Sequence, residues 1–493
     1  MKKYIGVILL ASMLTATACG GQQEGTQTMT ETAASTETAA VTEAPVDHYY
    51  DHIEARDLGG KEFRIISRMT QEGHNAQSFT DYGNNEIDAK ETNGTQINDT
   101  VYARNRELES RFNFVFNSIQ PNMNPMQKAK KSILANSDDY DAIVDSLVKM
   151  NDYSMFCSFD DLDYIDLTAD CWDHNANSSL SFGGDHYVAI GDLLILDKKG
   201  TWCMIFNKKL AANYDLGNLY DIVREGRWTL DTFWSMAKLA SSDLNGNGKQ
   251  DEADNWGFIG EYYNANFMMF GCGTRISEKS NEDYPVLSLM NERSVTAYAK
   301  VHEIVTDRSV SLSMDWSKNG ASDCLTAFAE DRALFYMTGI GTAMEYRYME
   351  SDFGILPIPK LSEEQEKHYT SLSGGNSACI AIPICNASAD DSAFLLQAIC
   401  LASTDTLKAT FYDTVLTGIT ARDEESSEML DIIFDNRVFD MAFINNWGGM
   451  GGIFTSLLSQ KSPDFASKYA SLEQQAITAI DKAITEFEER QNS

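Results

Sequence analysis

Short β-like runs alternate with stretches of helical spacing along this chain, which predicts a mixed α/β body. Lys61-Glu62-Phe63-Arg64-Ile65-Ile66 reads as a strand rich in branched and aromatic residues. From about Asn98 to Asn113, Val101, Leu108 and Phe112 recur near helical spacing with Arg and Glu between them. Phe114-Val115-Phe116 is again β-like, a helix is expected from about Met126 to Ala135, and Tyr140-Asp141-Ala142-Ile143-Val144 is a buried strand. Strand, helix, strand, helix, strand is the pattern of a layer with parallel strands.

The middle of the chain is mixed as well. Thr229 suits a helix N-cap, with Leu230, Phe233, Trp234 and Ala237 on one face. Arg332 to Met337 is strand-like, and Phe353-Gly354-Ile355-Leu356-Pro357-Ile358-Pro359 is extended and closed by prolines. A last helix is expected over about Pro463 to Arg490, with Pro463 in its first turn. Leu472, Ala476, Ala479, Ile480, Ala483, Ile484 and Phe487 make its buried stripe. Gly449-Met450-Gly451-Gly452 reads as a flexible turn, and the chain holds no internal repeat.

The N-terminus has a different character. Met1-Lys2-Lys3 precedes an apolar run from Tyr4 to about Ala18. Two positive charges before a short apolar core are the layout of a secretory signal, and the run is short of the about 20 residues of a membrane span. It ends in Ala16-Thr17-Ala18-Cys19-Gly20, which resembles the lipobox of bacterial lipoproteins, with Ala16 where Leu is commoner. That resemblance implies a signal peptide over 1–18, cleavage before Cys19 and a palmitate-type lipid on its thiol. The alternative is an ordinary cleavable signal followed by an incidental cysteine. Gly20 to Pro45 contains no Lys, Arg or aromatic residue, so it cannot bury enough apolar surface to offset its ordering entropy. Residues 19–57 are therefore expected to be a lipidated Cys and a flexible Thr/Ala/Glu-rich tether. No later segment has the length and apolarity of a membrane span.

Roughly 440 residues remain beyond the tether, more than one compact core holds, so two domains are expected. With 24 Phe, 21 Tyr and 7 Trp the body can both fill a core and line a groove. A formal charge of −34 repels phosphates, which argues against nucleic acid and against polyanionic ligands. Of nine cysteines, eight lie in the body, at Cys157, Cys171, Cys203, Cys272, Cys324, Cys379, Cys385 and Cys400. None forms a C-x-x-C pair, so zinc is not expected, and so long a chain is not a disulfide scaffold.

One segment carries specific metal chemistry. In Asp243-Leu244-Asn245-Gly246-Asn247-Gly248-Lys249-Gln250-Asp251-Glu252-Ala253-Asp254, side-chain oxygens fall at loop positions one, three, five, nine and twelve. Gly248 stands at position six, and Lys249 would give its backbone carbonyl at position seven. This spacing fits the oxygen-rich loop that a calcium ion requires. The expected ligands are Asp243, Asn245, Asn247, Lys249, Asp251 and Asp254, in a structural role. Amides at two positions and Asp at position twelve lower the expected affinity, and a polar surface turn is the alternative reading. Elsewhere the seven His are scattered, with no H-E-x-x-H, no G-x-S-x-G and no phosphate-binding Gly loop. Acidic residues are too abundant to single out a glycosidase pair. No organic cofactor is expected.

Several segments together resemble the extracellular solute-binding proteins of ABC importers, family 1, the class that includes maltose-binding proteins. Tyr140-Asp141-Ala142-Ile143-Val144 is similar to its "YDVI" strand and Phe206-Asn207-Lys208-Lys209-Leu210 to its "YNKxL" step. Arg227-Trp228-Thr229-Leu230-Asp231 resembles its "W-T-x-x-E/D" helix start. Phe328-Ala329-Glu330-Asp331-Arg332-Ala333 resembles its "F-x-x-G-x-A" strand, with Asp331 where Gly is usual, and Phe353 to Pro359 its "FGV-x-P-x-P" segment. Arg422-Asp423-Glu424-Glu425-Ser426 with Met429-Leu430 resembles a clostridial branch. The order of these motifs, over most of the chain after residue 58, carries the likeness.

The resemblance implies an α/β fold of periplasmic-binding-protein type II, with two lobes joined by a hinge of three crossings. It places lobe 1 at 58–200 plus 376–421 and lobe 2 at 201–375 plus 422–493. The crossings fall near Asp192–Trp202, Leu372–Asn376 and Thr420–Arg422. It implies a non-enzymatic monomer, lipid-anchored on the outer face of the cell membrane, that delivers a sugar or oligosaccharide to permease subunits. Candidate ligand-binding residues by motif position are Tyr262, Tyr263 and Trp447 for stacking, together with Arg68 after the first strand, Ser146 after the strand ending Asp145, and Trp202 at a crossing. A secreted glycan-active hydrolase, a surface adhesion module and a binder of peptides or other solutes are the competing classes.

Two outcomes are expected. Cys19→Ala should release the protein from the membrane fraction into the medium, and unchanged fractionation would remove the lipid anchor. EDTA should lower the melting temperature and added Ca²⁺ should restore it; no response would remove the calcium reading.

Overall fold

Two sheets of mixed strand direction organise the body. The computed structural model describes residues 49–69, 83–251, 253–314, 322–420 and 425–491. The signal run, Cys19 and most of the tether lie outside them, as do Glu252 of the candidate calcium loop and residues 421–424. In chain order the strands are β1 Lys61–Ile66, β2 Phe114–Ile119, β3 Ala142–Asp145, β4 Trp202–Asn207, β5 Trp256–Glu261, β6 Ser277–Lys279, β7 Pro285–Leu287, β8 Ser311–Met314, β9 Ala333–Gly339, β10 Phe353–Leu356, β11 Thr370–Ser371, β12 Cys379–Ala381 and β13 Arg437–Val438.

The first sheet has the order β12-β3-β1-β2, and the second β10-β4-β9-β5-β8. In the first, β1 runs parallel to β2 and β3, and only β12 is antiparallel. In the second, β5 is parallel to β8 and β9, and β4 runs against both β9 and β10. Two short pairs, β11 with β13 and β6 with β7, lie outside these sheets.

The apolar pattern translates directly into packing. The expected helix near 98–113 spans Gln96–Phe112, buries Ile97, Val101, Leu108 and Phe112, and ends at Asn113 in the left-handed region. Asn tolerates that backbone better than most residues. The helix expected over 126–135 spans Pro125–Leu134, and Asn124 caps it by accepting from the Gln127 amide. Thr229 does cap Leu230–Ala240, accepting from the Thr232 amide. On the buried face of that helix, Phe233 packs edge-on against Phe258 at 5.3 Å and against Phe335 at 5.2 Å. Trp228 is fully buried and donates its indole N–H to the Pro357 carbonyl at 2.8 Å, which ties the helix start to the proline-closed segment. Each such side chain contributes about 1.5–3 kcal/mol through burial.

Two readings change at the C-terminus. The last helix begins at Phe465, so Pro463 stands just before it, its carbonyl accepting from the Phe465 amide. The glycine-rich segment is a packed turn, with Met450 fully buried and Gly448 and Gly449 at positive φ. A Cβ on Gly448 would lie 2.4 Å from the Ala476 amide nitrogen, so glycine here permits the close approach of helix Phe465–Gln491. The far end of that helix reaches across to early residues, where Phe487 packs on Phe182 at 5.1 Å and on Tyr187 at 5.2 Å.

Between the two sheets the chain passes through Leu193–Thr201 and again through Leu372–Ser377. These two passages lie against each other. Thr201 bridges Leu372, and the Ser373 amide donates to the Gly200 carbonyl at 3.2 Å. A Cβ on Gly200 would sit 2.2 Å from the Asn376 carbonyl oxygen, so no larger residue fits without moving one passage. Arg437 on β13 locks the same region. Its guanidinium donates to Asp197 in the first passage at 2.6 Å and to Asp173. Burial opposes its charge, but Asp173 and Asp197 outweigh burial and hold the guanidinium above its ordinary range. The third crossing, expected near Thr420–Arg422, ends the helix Ala409–Thr420, and Ala421 and Arg422 lie outside the described residues.

Candidate functional site

Strand direction decides where the candidate residues meet. Because β4 is antiparallel to β9, Trp202 at the start of β4 lies opposite Gly339 at the end of β9. Glu261 at the end of β5 lies opposite Met314 at the end of β8. Trp202, Glu261, Tyr262 and Tyr263 therefore share one end of the second sheet. The same logic holds in the first sheet. Cys379 at the start of β12 lies opposite Asp145 at the end of β3, which gathers Arg68, Ser146 and the 372–377 passage at one end. Both passages enter their sheets at these ends. In open α/β sheets ligands bind beyond the carboxyl ends of the strands.

An aromatic corner occupies the end of the second sheet. Trp202 is half-buried and stacks on Phe267 at 4.4 Å and 15°. Tyr263 stands edge-on to Phe267 at 5.2 Å and to Trp202 at 6.2 Å, and stacks at 6.3 Å on Phe443. Burial pushes the Tyr263 phenol up, with Ser373 of the second passage beside it. Tyr262 is half-buried against the same core, with its amide donating to the Met314 carbonyl at 2.9 Å. Trp447 is half-buried against the same core, and its ring makes no aromatic contact among the described residues. Tyr263 and Trp202 thus come together, and neither Tyr262 nor Trp447 has a ring contact with them among the described residues.

Arg68 and Ser146 occupy the opposing end. Arg68 donates to the carbonyls of Gly375, at 3.1 Å, and Ser377, and approaches Asp145 at 3.8 Å. Its guanidinium pins the second passage to the ends of β1 and β3, which makes it a positioning residue. Ser146 is buried, its amide donating to Asp145 at 2.7 Å while its carbonyl accepts from the Lys149 and Met150 amides. Glu86 is fully buried nearby. Burial raises its carboxyl, with Lys199, Asn84 and Arg68 acting in the opposite direction.

Sequence reasoning passed over Glu261. It is half-buried at the strand end, next to both tyrosines, and its carboxylate has no hydrogen bond or ion pair among the described residues. Burial alone pushes its carboxyl up to about 7. Acceptor oxygens in such a place suit a ligand's hydroxyl groups. With 73 acidic residues in the chain, only its position at the close of the β5 run could have singled it out.

The candidate calcium loop lies away from these strand ends, between helix Leu230–Ala240 and β5, and is closed at its base by the Ser242–Asn255 bridge. Asp243 accepts from the Gly246 and Gly248 amides at 2.7 and 2.8 Å, and buried Asp254 accepts from the Leu244 and Asp251 amides. Among the described residues no group of three or more His, Cys, Asp or Glu side chains is placed to hold a metal. A site here would depend on the amide oxygens of Asn245 and Asn247 and the Lys249 carbonyl. The seven body cysteines whose side chains are described are free thiols.

No family model and no curated protein matches this chain. Solved structures share its fold. The galacto-N-biose-/lacto-N-biose I-binding protein of the ABC transporter from Bifidobacterium longum, in complex with lacto-N-biose, aligns at TM-score 0.56 and 10% identity, over 87% of this chain and 98% of that one. A cyclo/maltodextrin-binding protein complexed with maltotetraose aligns at 0.54 and 14% identity, over 87% and 97%. The ABC substrate-binding protein Lmo0181 from Listeria monocytogenes, in complex with cycloalternan, aligns at 0.51 and 12% identity, over 88% and 99%. The chain therefore has the two-lobe α/β fold of periplasmic-type binding proteins, as its motif order implied.

The raised carboxyl at Glu261 has a measurable consequence. Its folded value lies above the ordinary 4.5, so the native state holds the proton more tightly than the unfolded chain. Its contribution to stability therefore declines as pH rises from about 4.5 to about 7. Glu261→Gln is expected to flatten that decline by about 1–3 kcal/mol in urea unfolding between pH 5 and pH 7.5. Identical pH dependence in both proteins would show that the carboxyl is not buried in this way.

Proposed function

We propose that this protein captures an external solute, a mono- or oligosaccharide, and delivers it to the permease of an ABC importer. The observation that carries the reading is the meeting of two passages, an aromatic corner and a carboxylate without a side-chain partner among the described residues, at the facing sheet ends of a two-lobe fold. Aromatic faces suit the apolar faces of sugar rings, and fixed polar groups reject a wrong hydroxyl pattern because they would be left unpaired. Trp202 and Tyr263 would stack, and Glu261 would accept hydroxyls. The neighbours in complex with lacto-N-biose, maltotetraose and cycloalternan support the same ligand class.

Binding would be reversible and coupled to hinge motion, with no bond made or broken. A glycosidase needs two carboxyls about 5–9.5 Å apart. Burial raises the Glu261 carboxyl, and product analysis separates a binder from a hydrolase. The lipid on Cys19, the outer face of the membrane and a structural calcium ion in the 243–254 loop belong to the same proposal and rest on the sequence. The lobe limits at 200/201, 375/376 and 421/422 belong to it as well.

A thermal-shift screen of the mature protein against mono- and oligosaccharides, with product analysis of each hit, tests this function. Stabilisation without turnover is expected, and Trp202→Ala and Tyr263→Ala should each weaken it by about 10–100-fold in Kd. Turnover would make the protein a hydrolase. Stabilisation by peptides alone would replace sugar by peptide as the solute.

A further inference from the structure

A second cavity, of about 260 Å³, lies elsewhere in the body. None of Trp202, Glu261, Tyr262, Tyr263, Arg68 or Ser146 lines it. Its walls come from chain on both sides of the first passage. Asn175 and Ser179 of helix His174–Leu180 face Arg275 and Lys279 near β6, Lys367, and Arg437 of β13. Four cations among the lining residues are unusual in a chain of charge −34.

Most of these charges are already matched. Arg437 is held by Asp173 and Asp197. Lys279 pairs with Asp283 at 3.2 Å and donates to the Ser181 carbonyl. Asp440, also on the wall, accepts from the Ile276, Ser277 and Phe443 amides and from the Ser277 hydroxyl. Arg275 differs. Its guanidinium lies over the Tyr369 ring at 4.6 Å, and its one hydrogen bond among the described residues is to the Thr274 carbonyl at 2.8 Å. Among the described residues no carboxylate forms a salt bridge with it, and burial lowers its pKa, with Asp440, Tyr369 and Glu278 opposing. Lys367 is exposed and likewise without an ion pair. The remaining acids, Glu278 and Asp435, are exposed.

We propose that this cavity is a binding site for a small monocarboxylate bearing hydroxyl groups, separate from the site at the strand ends. The Arg275 fork, fixed in plane by Tyr369, matches a carboxylate in geometry and charge. Asn175, Ser179 and Glu278 offer partners for hydroxyls. A dianion would meet Glu278 and Asp435, which favours a single negative charge. The volume falls below the about 300–1,000 Å³ of a drug-sized pocket, which limits the ligand to about monosaccharide size. Since the walls come from both sides of the first passage, occupancy would couple to the lobe arrangement and so to binding at the strand ends.

The test is titration calorimetry of the mature protein with D-glucuronate, using D-glucose as the uncharged comparison. The parent should bind glucuronate and retain binding in Trp202→Ala. Arg275→Met should weaken it by about 10–100-fold, the worth of a charge-assisted hydrogen bond. Arg275→Lys, which keeps the charge without the fork, should also weaken it, with near-UV circular dichroism confirming that both variants fold. Undiminished binding in both Arg275 variants, binding lost in Trp202→Ala alone, or no glucuronate binding by the parent would each overturn the proposal. The sugar screen decides the strand-end site independently, so either site can fail alone.

Discussion

Arg437 holds the place where the two halves of this body are joined. It sits on β13, which pairs with β11 just before the second passage, and it reaches Asp197 in the first. A third partner, Asp173, leads the helix that lines the second cavity. Removing one partner of so buried a pair costs about 3–5 kcal/mol, because the charge left behind has no water to turn to. The cost binds three distant parts of the sequence into one junction. Gly200 against the Asn376 carbonyl completes it, since the two passages can lie this close only where one of them has no side chain. The sheet ends, and with them the aromatic corner, inherit their positions from this junction.

The same junction arranges the chemistry. Both passages enter their sheets at the ends where parallel strands finish, so the candidate residues are also those nearest the two passages. Tyr263 stands beside Ser373 of one passage, Trp202 directly follows the other, and Arg68 ties the first sheet to Gly375 and Ser377. A ligand held by these groups would feel any change in the angle between the sheets. That coupling is what a receptor needs if a permease is to distinguish its loaded form.

Most of the fold was legible in the sequence, because the apolar periods are strong. The Lys61–Ile66 strand, the Gln96–Phe112 helix and the Thr229 cap follow from local pattern alone. The glycine-rich turn at 447–452 was not, since its fit depends on Ala476 from a later helix. The site was half legible. Trp202 and the two tyrosines stood out as aromatic residues at motif positions, and strand direction brings them together. Glu261 was hidden among many acids, and only its burial, with no side-chain partner among the described residues, distinguishes it. Arg68 could be picked out, but its role in pinning the second passage depends on contacts more than three hundred residues away in the chain. Arg437 and Arg275 gave no sequence signal, because a matched and an unmatched arginine look alike until their neighbours are known.

Small-angle scattering of the mature protein, with and without a saturating sugar identified by stabilisation, reads the angle between the two sheets. A hinged two-lobe receptor predicts a smaller radius of gyration on saturation, with the sugar recovered unchanged. An unchanged radius at full saturation, or a sugar that is consumed, would contradict it.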